Sequence, residues 1–146
     1  MNKYSYLLDN LSETSKEIKP KLNDKVLIID SMNMFLRNFA INNKINSQGH
    51  HIGGLTGYLR SLGAMVKLLQ PTRVILVFDG EGNITNKKNI YSDYKGTRKI
   101  KRITNWSSFD SLSDESDSIS TQLLRLIDYL KHLPINITIV DKSDSR

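Results

Sequence analysis

The sequence predicts an α/β protein built on a parallel sheet, and three observations lead there. Residues 26–30 (VLIID) and 74–78 (VILVF) are short apolar runs without polar alternation, and residues 135–140 (INITIV) form a third, β-branched run. That is how strands read when they are buried on both faces. The segments between them carry apolar residues at steps of three and four, the helical period. Strands and helices then alternate along the chain, which is the order of a parallel sheet with right-handed crossovers.

Each element has its own reason. Residues 1–23 read as an extension: Leu7, Leu8 and Leu11 suit one short amphipathic turn, and Pro20 stops anything longer. A strand is expected over 26–29. Residues 31–41 (SMNMFLRNFAI) read as a helix, with Met34 or Phe35 and Asn38 or Phe39 at helical spacing. NNKINSQGHH is a polar loop in which His50 and His51 are expected to face solvent. Leu55, Leu59, Leu62, Val66 and Leu69 mark a helix over about 54–69, closed by Pro71, and the strand 74–78 follows. Ile119, Leu123, Leu126, Ile127 and Leu130 mark a helix over about 118–132, ended by Pro134, with His132 at its dipole-negative end. The last strand is 135–140. No repeat is present.

Composition narrows the function classes. There is no cysteine among the 146 residues, which excludes disulfides and thiolate metal sites and fits a reducing compartment. No apolar stretch approaches the roughly 18–20 residues that span a bilayer, and the N-terminus lacks a signal-peptide pattern. A soluble, cytoplasmic protein with no membrane partner is expected. The formal net charge is +6, and residues 87–102 alone hold seven cations against one anion, Asp93. The cations are Lys87, Lys88, Lys95, Arg98, Lys99, Lys101 and Arg102. A solvated face and a polyanion-binding surface both account for such a run.

Both apolar strands end on a carboxylate, Asp30 and Asp79. Parallel strands share one carboxyl edge, where ligands sit in α/β sheets, so the topology brings both residues to that edge. Asp30 also suits an N-cap of the next helix. Asp79-Gly80 as a hairpin turn is disfavoured, because EGNITNKKN is no second strand. Two converging carboxylates are relieved by a cation between them, and hard oxygen ligands select Mg²⁺ or Mn²⁺. Residues 80–117 are polar, first basic and then acidic, and a stretch of this length without its own structure is usually functional or disordered. Within them, YKGTRK places Tyr94 for base stacking. If this piece is helical, Lys95, Lys99 and Arg102 share a face with Arg98 beside them. Trp106 and Phe109 are further candidates for base stacking, but the preferred reading of both is a partly buried aromatic.

LIIDSMN, GGLTGYLRSLGAMVKLL, VILVFDG and YKGTRK, in this order and spacing, resemble the N-terminal part of the 5′-3′ exonuclease family. That family includes flap endonucleases, the 5′-nuclease domain of bacterial DNA polymerase I and phage 5′ nucleases, one of them called RNase H. The match covers about 26–140. The resemblance implies a PIN-like three-layer α/β fold with a central parallel sheet over 24–146 and a basic helical arch inserted at about 84–117. It implies Mg²⁺- or Mn²⁺-dependent hydrolysis of flapped or nicked DNA and of RNA–DNA hybrids. Asp30 and Asp79 then correspond to metal-site carboxylates, and Lys95 and Arg98 to the pair that approaches the scissile phosphate. Lys87, Lys88, Tyr94, Lys99, Lys101 and Arg102 fall in the nucleic-acid-binding arch.

The chain departs from the family pattern in one respect. An acidic cluster of Glu-Ala-Asp-Asp type should open the helix after the third strand, and Asp141 and Asp144 do not match it. The expectation is a nuclease half truncated before the C-terminal half, holding one ion weakly, poorly active alone and partnered by a complementary half. A non-catalytic nucleic-acid-binding module is the alternative. A receiver-type domain with Asp30 as nucleophile fits less well, since Met32 stands where such hydrolases carry a second Asp. No histidine is assigned to a metal.

Overall fold

A computed structural model describes residues 19–78, 102–133 and 136–141. The turn expected at Leu7, Leu8 and Leu11 lies outside them. Six elements follow in order: β1 (Val26–Asp30), α1 (Ser31–Ile41), α2 (Gly53–Leu69), β2 (Arg73–Phe78), α3 (Leu112–Lys131) and β3 (Ile137–Asp141). The strands form one parallel sheet in the order β1-β2-β3.

Register decides which side chains meet. Leu27 pairs with Val74 and Ile29 with Leu76, so these residues and Phe78 share one face of the sheet. Ile29, Val74, Leu76 and Phe78 are buried there against Met32, Phe35, Phe39, Tyr58, Leu62 and the apolar stripe of α3. Each fully buried apolar side chain of this kind contributes about 1.5–3 kcal/mol. The strand order advances in one direction, so crossovers of one hand lay all three helices on the same face. Among the described residues the expected three layers are therefore present as two. The other face carries Val26 and Ile28, the latter 65% exposed.

α3 starts six residues before the position expected from its apolar stripe. Its first turns, LSDESDS, hold no periodic apolar residues, so the hydrophobic pattern misses them. Their stability is local and electrostatic. The Ser111 side chain caps the helix by accepting from Asp114 N at 3.1 Å, and Asp114 and Glu115 lie in the first turn, where the helix dipole favours negative charge. Residues 112–117, read above as the acidic end of the insert, are thus helix.

α1 and α2 pack closely because α2 presents glycine to α1. A Cβ on Gly54 would come within 2.7–2.8 Å of the Phe35 ring, and one on Gly57 within 2.5 Å of the Asn38 amide oxygen. α2 ends with Gln70 in the left-handed region, its N–H donating to Val66 O at 2.8 Å, and Lys25 Nζ donates to the free carbonyl of Leu69 at 2.9 Å. That cation ties the foot of α2 to the start of β1.

Two glycines of the same helix should respond oppositely to alanine. Gly54→Ala forces the Phe35 ring aside and should cost about 1–3 kcal/mol. Gly63, whose Cβ would meet nothing within 4 Å, should gain up to about 1 kcal/mol from helix propensity. Urea midpoints at constant m-value read both changes.

Candidate functional site

The carboxyl edge of the sheet is built first by β1. Asp30 is its last residue and the N-cap of α1 at once: Oδ1 accepts from Asn33 N at 3.0 Å. Oδ2 makes no hydrogen bond to any described residue, and the side chain is exposed. Asp30 thus orders the helix behind it with one oxygen, while the other is unengaged by the described residues. Ser31, directly after it, is fully buried and shares a 2.8 Å hydrogen bond with the Tyr58 hydroxyl. Burial pushes the Tyr58 hydroxyl up to about 12, against the opposing pull of the Ser31 bond. The strand-to-helix corner carrying Asp30 therefore rests on α2.

The neighbouring strands end at the same edge. Asp30 is the Cα partner of Val77, and Phe78 is the Cα partner of Asp141. Asp79 follows Phe78 in sequence and lies outside the described residues. So do Lys87, Lys88, Tyr94, Lys95, Arg98, Lys99 and Lys101. Of the remaining site residues, Asp30 is at the edge and Arg102 is exposed. Asp141, set aside in the sequence, reaches the same edge by backbone register; the rule that singled out Asp30 and Asp79 would have found it. Among the described residues no three His, Cys, Asp or Glu side chains converge as a metal cage. The oxygen donors at this edge are hard and suit Mg²⁺ or Mn²⁺.

Sequence reasoning missed a buried polar knot beside α3. This helix returns the chain to the amino end of β3, so its N-terminal turn stands on the carboxyl-edge side. There Glu115, 1% exposed, gathers the incoming chain. Its Oε1 accepts from Thr104 N at 2.7 Å, from Asn105 N at 2.8 Å and from the Thr104 hydroxyl. Asn105 Nδ2 donates onward to Phe39 O at 2.8 Å, tying the segment to α1. Glu115 Oε2 and Asn105 Oδ1 are buried without a hydrogen-bond partner among the described residues.

His51 joins this knot, contrary to the solvent-facing position expected for it; His50 is exposed. The His51 ring packs edge-on against Phe39 and Phe109, at centroid distances of 4.8 and 5.2 Å. Its Nε2 lies 2.7 Å from Asn42 O and its Nδ1 lies 3.0 Å from Gln122 Nε2. The neutral ring with its proton on Nε2 satisfies both contacts. Burial pushes the imidazole below its usual range, and the bond to Asn42 pulls part of the way back. Gln122 Oε1 accepts from Leu55 N at 3.0 Å and so caps α2, whose own N-cap Ile52 offers no side-chain bond. Polar residues in a loop gave no sign that aromatic packing would draw one histidine inward.

The aromatics divide. Phe109 is half-buried and stacks on Phe39 at 5.5 Å, as its sequence reading expected. Trp106 does not follow that reading: it is 79% exposed. Asn105 and Phe109 take the buried positions on either side of the turn, which leaves the indole outside. His132 Nδ1 lies 2.7 Å from Asp128 O at the end of α3. No helix among the described residues is long and apolar enough to cross a membrane.

Two measurements check the knot. Glu115→Ala strands the buried Asn105 N–H and the partly buried Thr104 N–H and should cost about 1–3 kcal/mol in urea unfolding. A depressed His51 value means that the unfolded chain binds its proton first. Stability conferred by the neutral ring is complete above about pH 6.5 and falls as the pH drops below it. His51→Gln should be less stable at pH 7.5 and show a flatter profile between pH 7.5 and 5.5.

Comparison with known proteins places these elements in context. Residues 25–144 match the family model described as 5′-3′ exonuclease, N-terminal resolvase-like domain. The chain is similar to the 5′-3′ exonuclease of Bacillus subtilis, 31% identical over 93 residues, which are 60% of this chain and 31% of that protein. It is similar to DNA polymerase I of Borreliella burgdorferi, 29% identical over 79 residues, covering 52% of this chain and 9% of the polymerase. For DNA polymerase I of Lactococcus lactis the identity is 30% over 80 residues, 51% of this chain and 9% of that one. The matched part thus spans under a third of each relative. No solved structure matches the chain.

Proposed function

The chain belongs to the 5′-3′ exonuclease N-terminal resolvase-like domain family, and on that footing we propose that it is the metal- and phosphate-binding part of a 5′-3′ nuclease. Its substrates are nucleic acids with flapped or nicked ends, RNA–DNA hybrids included. The observation that carries this reading is the pairing of Asp30 with Val77 at the carboxyl edge. Asp79 is the residue that follows β2 in sequence, and this favours Asp30 and Asp79 as a shared pair of oxygen donors.

The roles follow from charge. Asp30 caps α1 with one oxygen and has the other for a cation; Asp79 supplies the second carboxylate. Bound Mg²⁺ supplies charge neutralisation of a phosphodiester and an activated water. Lys95 and Arg98 neutralise the phosphate, since fixed cations stabilise developing negative charge. Lys87, Lys88, Lys99, Lys101 and Arg102 hold the backbone of the strand in an arch, and Tyr94 stacks on a base. Two carboxylates satisfy few of the roughly six positions around Mg²⁺. Weak metal binding and slow cleavage by these residues alone are therefore the expected behaviour, and a polypeptide bringing further carboxylates is the partner that would raise both.

Asparagine caps a helix about as well as aspartate, so Asp30→Asn separates the two tasks of residue 30. Unfolding free energy should stay within about 0.5 kcal/mol of the parent. Mn²⁺ affinity, followed by electron paramagnetic resonance, should fall by roughly tenfold or more, the scale at which even indirect support of a ligand registers. Lys95→Ala with Arg98→Ala should lower the slope of log affinity against log salt for flapped DNA by about two, one per lost phosphate contact. Mn²⁺ binding indifferent to Asp30→Asn and Asp79→Asn, with unchanged DNA affinity in the double variant, would exclude the nuclease reading. Unchanged Mn²⁺ binding with a lowered salt slope would leave a non-catalytic nucleic-acid-binding module.

A further inference from the structure

Trp106 is the sole tryptophan of the chain and is 79% exposed. Tryptophan is highly buried on average, because no other side chain gains as much from leaving water. An indole held outside therefore calls for a partner, and the residues around it show that it is held. Asn105 is buried and bound to Glu115 and to Phe39 O. Ser108 N and Phe109 N both donate to Asn105 O at 3.1 Å, closing a tight turn under the indole. Ser108 Oγ donates to Asn43 Oδ1 at 3.0 Å, and Phe109 stacks on Phe39. The turn is thus pinned to α1, to α3 and to the loop after α1. The side chain that emerges pays little entropy when something lies on it.

The surroundings indicate what that partner is. Arg102, four residues earlier, is exposed and ends the run of seven cations that begins at Lys87. Asn43 and Lys44, across the turn, are exposed as well. The turn precedes the first helical turn of α3, on the carboxyl-edge side that carries Asp30. An exposed aromatic that follows a basic run in sequence, on a turn bonded to the residue beside Lys44, suits a polyanion whose side groups are flat and aromatic.

We propose that Trp106 is a stacking platform for an unpaired base of a single-stranded nucleic acid, presented by the turn that Glu115 and Asn105 fix in place. This rests on the nuclease reading for the polyanion but not on the metal site. The platform recognises single strands without sequence preference, since every base offers a face.

The lone tryptophan makes the test direct. A short oligo(dT) of about 12 nucleotides, within the range of single-strand site sizes, is titrated against fluorescence in the presence of EDTA. Saturable quenching is expected. Trp106→Ala should bind the same oligonucleotide roughly 5- to 150-fold more weakly, with an unchanged salt slope, whereas loss of a phosphate contact would lower that slope. Trp106→Phe should recover most of the affinity, and thermal unfolding of both variants should match the parent, because the side chain is exposed. Oligonucleotide binding without quenching, at equal affinity in Trp106→Ala, would overturn the platform and leave the nuclease reading intact. Self-association of the parent that disappears in Trp106→Ala, with DNA affinity unchanged, would assign the indole to a second copy and overturn it too. Failure to bind either oligo(dT) or flapped DNA would overturn both readings together.

Discussion

Parallel pairing is the constraint on which this molecule depends. A parallel strand cannot return through a tight turn; the chain must cross from the end of one strand to the start of the next. Between β1 and β2 that crossing is α1 and α2, and between β2 and β3 it includes α3. One consequence is the core, since the crossings bring apolar helix faces over one side of the sheet. The other is chemical: the strands all leave at a single edge. Asp30 and Asp141 reach that edge without either being chosen by a loop. A carboxylate at the end of a strand lies where the backbone geometry delivers it.

The second organising device is polar and lies out of sight. Glu115, Asn105, His51 and Gln122 join all three helices and the segment that returns from the basic run. Inside a protein such bonds are strong only when every donor finds an acceptor. Here the donors are placed, while Asn105 Oδ1 and Glu115 Oε2 have no partner among the described residues. Such a network secures position more than it adds stability. What it positions is residues 104–109, and hence the indole of Trp106.

The strands and the helix cores were legible because burial writes itself as spacing. Phe35 and Phe39, or Ile119, Leu123, Leu126 and Leu130, recur at helical steps and are buried as that spacing requires. The start of α3 was not legible from spacing, because a serine cap and a dipole-paired acidic turn leave no apolar trace. His51 and Trp106 exchanged their expected environments for one reason: which side of a turn faces inward depends on what packs there. Phe39 and Phe109, 70 positions apart in sequence, make that decision together. Within the candidate site, strand-end position was readable for Asp30 from a carboxylate after an apolar run. That a single one of its two oxygens caps α1 emerged only from the structure.

The capping of α2 has a consequence for how the chain assembles. Its first turn begins with two glycines and has no cap of its own; the amide of Leu55 waits for the side chain of Gln122, 67 positions downstream. Local sequence alone therefore does little to start this helix, and its upper turn closes when α3 docks. Long-range dependence of this kind slows the search for the native state. It also marks the junction of α1, α2 and α3 as the place where native-state hydrogen exchange would open as one cooperative unit, ahead of the sheet.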